Sequence, residues 1–292
     1  MTGTRLLCFA ILGVLLAPLA ARADSGAVYT GDGWDSWIDS ENVWHGSGVA
    51  LQAEVRFEVV NGNQLKVTLT NTSLKDTPDN SAVLTAVFFQ LRDYPLLPLT
   101  PSGATAKAGQ WLVSSTKDGG TVTPSEVKLL VDLDVGGEWA YKNLADPYVG
   151  TNAIGVSSSG LGLFGSGDLF GGPDLDPPAS PDGVNFGILS AGDLLSTVPQ
   201  ASTGFIRNSV EFTLSGLPSG FVATADDVEN LILGSITNVT FQYGTAVGEP
   251  YIVIPGIAVT PPPVPEPLTL LSLTLAIGGL GAYVRRRTRL AA

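Results

Sequence analysis

Leu51, Ala53, Val55, Phe57 and Val59 alternate with Gln52, Glu54, Arg56 and Glu58, and no other pattern in the chain limits its fold as strongly. Side chains of an extended strand point to opposite faces in turn, so a period of two buries one face and wets the other. Asn61-Gly62-Asn63 follows, and Asn and Gly accept the positive φ that a tight turn needs. Leu65, Val67 and Leu69 then alternate with Lys66, Thr68 and Thr70, which completes a predicted hairpin. The same period returns at Val127, Leu129, Val131 and Leu133, at Val210, Phe212 and Leu214, and at Val239, Phe241 and Tyr243. Residues 83–91 are apolar on both faces, as a central strand requires. Short strands between turn residues predict an all-β body, an antiparallel β-sandwich of jelly-roll-like kind. One short helix is expected at 225–231, capped by Thr224.

Residues 150–187 break the rhythm with Gly, Ser, Pro and Asp, and predict a long excursion from one domain spanning 24–260; two small domains hinged there is the alternative. Gly160-Leu161-Gly162-Leu163-Phe164-Gly165 lies within it and matches G-x-G-x-x-G. That pattern means dinucleotide binding only between a strand and a helix. The sequence shows neither, so a glycine loop is expected.

The two ends predict traffic through a membrane. Arg5 precedes an apolar run over 6–19, and Ala21-Arg22-Ala23 fits a signal peptidase site, so 1–23 read as a signal peptide. An uncleaved N-terminal anchor is the alternative. Pro261, Pro262 and Pro263 begin a semi-rigid linker that runs to Pro267. The apolar stretch 268–284 would reach roughly 25 Å as a helix, enough for a single transmembrane span near the lower limit. Arg285, Arg286 and Arg287 open a basic tail, 285–292, that should stay cytoplasmic and leave the body outside.

Pro265-Glu266-Pro267, a short apolar segment containing Gly278, Gly279 and Gly281, and a terminal arginine cluster together resemble the PEP-CTERM sorting signal. The same kind of tail is also called an ice-binding protein C-terminal domain, a label that implies no ice binding here. The resemblance covers about the last thirty residues. It implies processing at Pro265, Glu266 and Pro267 by an exosortase, a membrane protease of Gram-negative bacteria, with Arg285, Arg286 and Arg287 fixing topology. An ordinary tail anchor with a proline hinge is the alternative. The body more loosely resembles exosortase-dependent surface proteins of the XDD type, through Val67-Thr68-Leu69-Thr70-Asn71-Thr72-Ser73, Gly136-Gly137-Glu138-Trp139-Ala140-Tyr141 and Phe241-Gln242-Tyr243-Gly244-Thr245. That likeness implies a role at the cell surface or in the extracellular matrix and no known catalytic residues.

Charge and rare residues narrow the chemistry. Setting aside six arginines in the tails and Glu266 leaves 9 basic and 26 acidic groups in the body, a net charge near −17. Phosphate binding needs a cationic face, so nucleic acid is not an expected partner. Cys8 is the one cysteine and leaves with the signal peptide, which removes disulfides, thiol nucleophiles and Cys-type zinc sites. His45 is the one histidine, so multi-histidine metal sites are excluded too.

What remains is a short set of candidates. Asp174, Asp176 and Asp182 could supply part of a calcium site, though their spacing is not that of an EF-hand and solvated loop acids are the plainer reading. Asp132 and Asp134 compete for the same role. Trp34, Trp37 and Trp44 cluster with Asp32, Asp35, Asp39 and His45; aromatic faces beside carboxylates hold sugar rings, so exopolysaccharide is a candidate partner, and capping of a sheet edge is the alternative. A Ser-His-Asp triad would have to use His45, and no nucleophile elbow is present. Glycoside hydrolysis by paired carboxylates cannot be assigned among so many acids. No cofactor and no enzymatic role are expected. Asn71-Thr72-Ser73 and Asn238-Val239-Thr240 match the N-glycosylation pattern but carry little weight in the Gram-negative setting that the resemblance implies.

Overall fold

A computed structural model of the chain describes residues 26–34, 37–38, 44–45, 48–118, 121–145, 147–148, 152–164, 181, 183–196, 198–226 and 234–254. These residues are all-β. In chain order the strands are β1 (Gly26–Trp34), β2 (Trp37–Ile38), β3 (Trp44–His45), β4 (Ala50–Val60), β5 (Gln64–Asn71) and β6 (Leu84–Leu91). Next come β7 (Thr100–Ala106), β8 (Trp111–Asp118), β9 (Thr121–Lys128), β10 (Leu133–Asp134), β11 (Ala140–Ala145) and β12 (Asn152–Ser157). The last are β13 (Ile188–Leu189), β14 (Phe205–Arg207), β15 (Ser209–Ser215), β16 (Ile236–Tyr243) and β17 (Tyr251–Ile254). No helix among the described residues is long and apolar enough to cross a membrane. The signal peptide expected at 1–23, the linker at 261–267, the transmembrane helix at 268–284 and the basic tail at 285–292 lie outside them.

One sheet is antiparallel throughout, in the order β1-β4-β5-β15-β7-β10. The other is mixed. It runs β11-β12-β6-β13-β14-β8-β9, with β16 also on β6 and β17 on β16, and β13 lies parallel to β14. The expected hairpin is β4–β5. Leu51, Ala53, Val55, Phe57 and Val59 are buried, and so are Leu65, Val67 and Leu69 across the ladder. Asn61 and Gly62 take φ of 52° and 74°, so the turn uses the left-handed backbone these residue types permit.

Both sheets turn apolar faces into one cluster, with Phe57, Val67 and Phe212 from the first and Val87, Phe89, Val156 and Phe241 from the second. β6 is buried on its other face as well. Ala86 and Phe88 are covered there by Ala140, Ala153, Leu161 and Phe164, which explains a run with no alternation.

Two expectations need correction, and a third lies mostly outside the described residues. The alternation at 127–134 is not one strand. β9 ends at Lys128 in the mixed sheet, and β10 resumes at Leu133 beside Ala106 in the antiparallel sheet. Between them the Leu129 amide donates to the Gln110 carbonyl at 2.8 Å, while Leu130 and Val131 stand in solvent at 88% and 73% exposure. The period survives in the sequence although the chain changes sheet, because a crossover does not interrupt residue spacing. The excursion expected at 150–187 begins later, since Asn152–Ser157 forms a buried strand between β6 and β11. Of the helix expected at 225–231, residues 227–231 lie outside the described residues; Ala225 and Asp226 carry no regular structure. Thr224 Oγ1 accepts the Ser235 amide instead, at 3.0 Å.

Asp226 anchors that segment. Its carboxylate is 2.5 Å from Arg92 Nη2 and accepts the Gly234 amide at 2.7 Å and the Thr237 hydroxyl at 2.7 Å. Tyr29 donates to the Ile236 carbonyl beside it, and burial pushes the Tyr29 phenol pKa up to about 12. A buried charge that loses its partner is costly. Asp226→Ala should therefore destabilise the protein by about 3–5 kcal/mol, read as a lower urea midpoint at unchanged slope; a shift within experimental scatter would show that Arg92 finds water there.

Candidate functional site

The described surface has a cleft of about 360 Å³ where two loops meet, 73–78 after β5 and 190–196 after β13. Both loops are rich in Ser, Thr and Asp, whose short side chains compete for backbone groups and hold turns. Asn71, wholly buried at the end of β5, donates from Nδ2 to the Ile188 carbonyl at 3.0 Å and accepts the Ser73 amide at 3.2 Å. Ser190 Oγ donates to the Ser73 carbonyl and accepts the Gly192 amide. Ser73 Oγ accepts the Gln52 amide at 2.8 Å, which ties the clamp to β4.

Two carboxylates finish the clamp. Asp193 accepts the Thr77 amide at 2.9 Å and the Leu195 amide at 2.7 Å. Asp76 reaches the other way, accepting the Leu194 amide at 2.7 Å and the Ser196 amide at 3.2 Å. Gly192 permits the close approach: a Cβ there would lie 2.7 Å from the Leu74 carbonyl oxygen. Leu74 and Leu194 consequently stand exposed at the rim, with Val49 and Pro78 beside them and Lys75 adding one ammonium group. The cleft offers apolar contact with a single cation at its edge. Its aspartates are occupied with backbone amides.

The sequence-predicted residues divide into those placed and those not. Trp34 ends β1 opposite Ala50, Trp37 pairs with His45, and Ile38 pairs with Trp44. The backbone thus brings the tryptophan segment together as a small hairpin; the side chains there are outside what is described. Val49 on the cleft is five residues from Trp44, so chain length holds the two within about 19 Å. Asp32, opposite Gln52 on β1, is exposed. Asp35, Asp39, Asp174, Asp176, Asp182, Pro265, Glu266, Pro267, Arg285, Arg286 and Arg287 lie outside the described residues. Among the described residues no group of three or more His, Cys, Asp or Glu is placed to hold a metal ion.

Asp132 and Asp134 serve different turns. Asp132 bonds Lys107 at 2.7 Å and the Ala108 amide at 2.9 Å, and the Lys107 bond holds its carboxyl below the usual range. Asp134 accepts the Gly136 amide at 2.8 Å. The glycine pattern at 160–165 follows a strand after all, β12, yet its described part is a cover: Leu161 and Phe164 are buried against Phe88 and Ala86. Neither glycosylation pattern offers a free amide. Asn71 is spent as above, and Asn238 Nδ2 donates to Gln90 Oε1 at 2.6 Å.

The three segments behind the likeness to surface proteins are structural. Val67–Asn71 runs along β5, Trp139 is buried with its ring 4.8 Å from Phe212, and Tyr243 is buried beside β6. Burial pushes the Tyr141 phenol up to about 12 and the Tyr243 phenol higher still.

The clamp itself was not found in the sequence. Its residue types announce turns, but nothing local joins Ser73 to Ser190. Comparison with models of known protein families and with curated proteins finds no match to the chain.

Burial pushes the Asp193 carboxyl above its ordinary 3.8, with Leu195 and Thr77 pulling it back and Asp76 adding to the rise. The folded state therefore binds this proton more tightly than the unfolded state. By linkage, its contribution to stability is present at low pH and is lost as pH rises through 3.8 to the raised value. Urea unfolding of Asp193→Asn should lack this part of the decline over the carboxylate range; parallel pH curves for the two proteins would refute it.

Proposed function

We propose that this chain is an exported, exosortase-sorted protein of the cell surface or extracellular matrix, with a β-sandwich body of jelly-roll-like kind and no catalytic role. One observation carries the reading: the ordered tail of Pro265-Glu266-Pro267, the apolar stretch 268–284 and the Arg285-Arg286-Arg287 cluster. A lone Pro-Glu-Pro would be weak support; the three in this order match what a sorting protease and a membrane pause require. The apolar stretch is long enough for a single transmembrane helix, and the arginines oppose its translocation. The N-terminal signal agrees with an exported body, and the acidic composition agrees with a soluble one.

In the native host, wild-type protein should appear outside the cell as a body of about residues 24 to 265. Glu266→Ala with Pro267→Ala should leave full-length protein in the inner membrane. Equal release of both forms, judged by intact mass and fractionation, would end the sorting reading and leave a tail-anchored periplasmic protein.

A second reading, an envelope carbohydrate-binding module, draws support from the backbone pairing of Trp37 with His45 and of Ile38 with Trp44. It expects exopolysaccharide from the host to shift tryptophan emission, with the shift lost in Trp37→Ala. An unchanged spectrum across envelope glycans would remove it.

A further inference from the structure

Tyr148 and Tyr251 stack with ring centroids 4.0 Å apart and planes inclined by 25°. Ring pairs such as Phe57–Phe89, Trp139–Phe212 and Phe88–Phe164 are instead tilted, with centroids 4.7 Å, 4.8 Å and 6.3 Å apart. Tyr148 follows β11 and sits against Phe88, itself beside Phe164, so its position is set by the cover of the mixed sheet. Tyr251 opens β17 and is half exposed, at 50%. Two phenols are therefore in face contact, one fixed from beneath and the other open to a soluble oxidant.

We propose that Tyr148 and Tyr251 form a site of oxidative crosslinking, in which a peroxidase and hydrogen peroxide join them as dityrosine. Each phenol loses one electron and one proton to give a phenoxyl radical. The radicals couple between ring carbons ortho to oxygen, and both ortho hydrogens shift to the oxygens to restore aromaticity. The pair has then lost two hydrogens. Hydrogen peroxide takes up the two electrons and two protons, its O–O bond breaks, and two waters form. Stacking supplies the proximity that otherwise limits radical pairing.

The crosslink would do what a disulfide cannot do here, since Cys8 is the chain's one cysteine. β17 is four residues long and is held to β16 from Val239↔Ile254 to Gln242↔Tyr251. Beyond Ile254 the sequence runs on to the sorting tail. If the tail tethers the protein, which rests on the surface reading above, tension enters the body at β17, and the bond would tie that strand to the β11–β12 hairpin. The chemistry itself is independent of that reading.

The test treats purified full-length protein with peroxidase and hydrogen peroxide and maps tryptic peptides by mass spectrometry. The expected product is a monomer with dityrosine fluorescence and a peptide pair joined through Tyr148 and Tyr251, lighter by two hydrogens. Tyr251→Phe and Tyr148→Phe keep the stacked ring and should each reduce that pair and its monomer fluorescence to background, with circular dichroism unchanged. Fluorescence confined to dimers, crosslinks through other tyrosines only, or signal that persists in Tyr251→Phe would overturn the proposal. The peptide map reads the bond whether or not the tail is cut, so failure here and failure of the sorting reading remain distinct.

Discussion

The contact of Phe57 with Phe89, centroids 4.7 Å apart, joins the antiparallel sheet to the mixed one, and the rest of the body is arranged around it. Phe57 belongs to a row that crosses the antiparallel sheet: Ala27, Phe57, Val67, Phe212 and Ala104 are successive partners in the ladder. Large and small side chains alternate along that row, so the mixed sheet can interdigitate with it. Phe89 comes down on Phe57 and Trp139 on Phe212, while Tyr29 meets Phe57 edge-on. Burying such a ring stabilises by about 1.5–3 kcal/mol, and a favourable ring pair adds about 0.5–1.5. The Arg92–Asp226 pair beside Tyr29 has a different effect. A buried ion pair contributes little net energy, but it penalises any arrangement that separates the two charges.

What could be read from the sequence followed from whether one face of a strand is wet. β4, β5 and β15 were legible because residues such as Val55 and Phe212 go inward while Glu54 and Glu211 do not; β16 kept its alternation of residue types although Thr240 and Gln242 are buried too. β12 was not, since Ala153 through Ser157 is buried on both faces and its Gly and Ser content looks like loop. The run at 127–134 misled for the opposite reason: its period of two is broken only by Leu130, but the chain leaves one sheet for the other within it. The cleft lay beyond local reading, because Asp193 reaches Thr77 and Asp76 reaches Leu194 across more than a hundred residues. The tryptophan cluster was legible as a cluster. The backbone adds the pairing of Trp37 with His45 and stops there.

Charge sets which partners such a body can meet. Arg56, Lys66, Arg92, Lys107 and Arg207 are each within an ion pair with a carboxylate, so five of the body's nine cations are already engaged. Arg207, paired with Glu126 at 2.9 Å, also lies over Trp111, with its guanidinium carbon 5.3 Å from the ring centre. A free cationic face of the kind that gathers phosphate or sulfate is hard to assemble from what is left.

The same imbalance bears on how the body holds together. Its acids repel one another, and it has no disulfide to limit the unfolded chain, so cohesion depends on the apolar rows between the sheets. Those rows are dense at β4, β6, β15 and β16 and thin at β17, where Ile252 is buried while Tyr251 is half exposed. β17 is also the last described strand before the tail. Force applied through the tail would therefore load the β16–β17 ladder first, and a four-residue antiparallel strand pulled from one end can open one pair at a time. Gly31 and Gly33 on β1 lie close against Ile252, where a Cβ would come within 2.7 and 3.0 Å of its side chain. The close fit of β1 over Ile252 gives β17 a second neighbour besides β16, so peeling it requires breaking packing as well as hydrogen bonds.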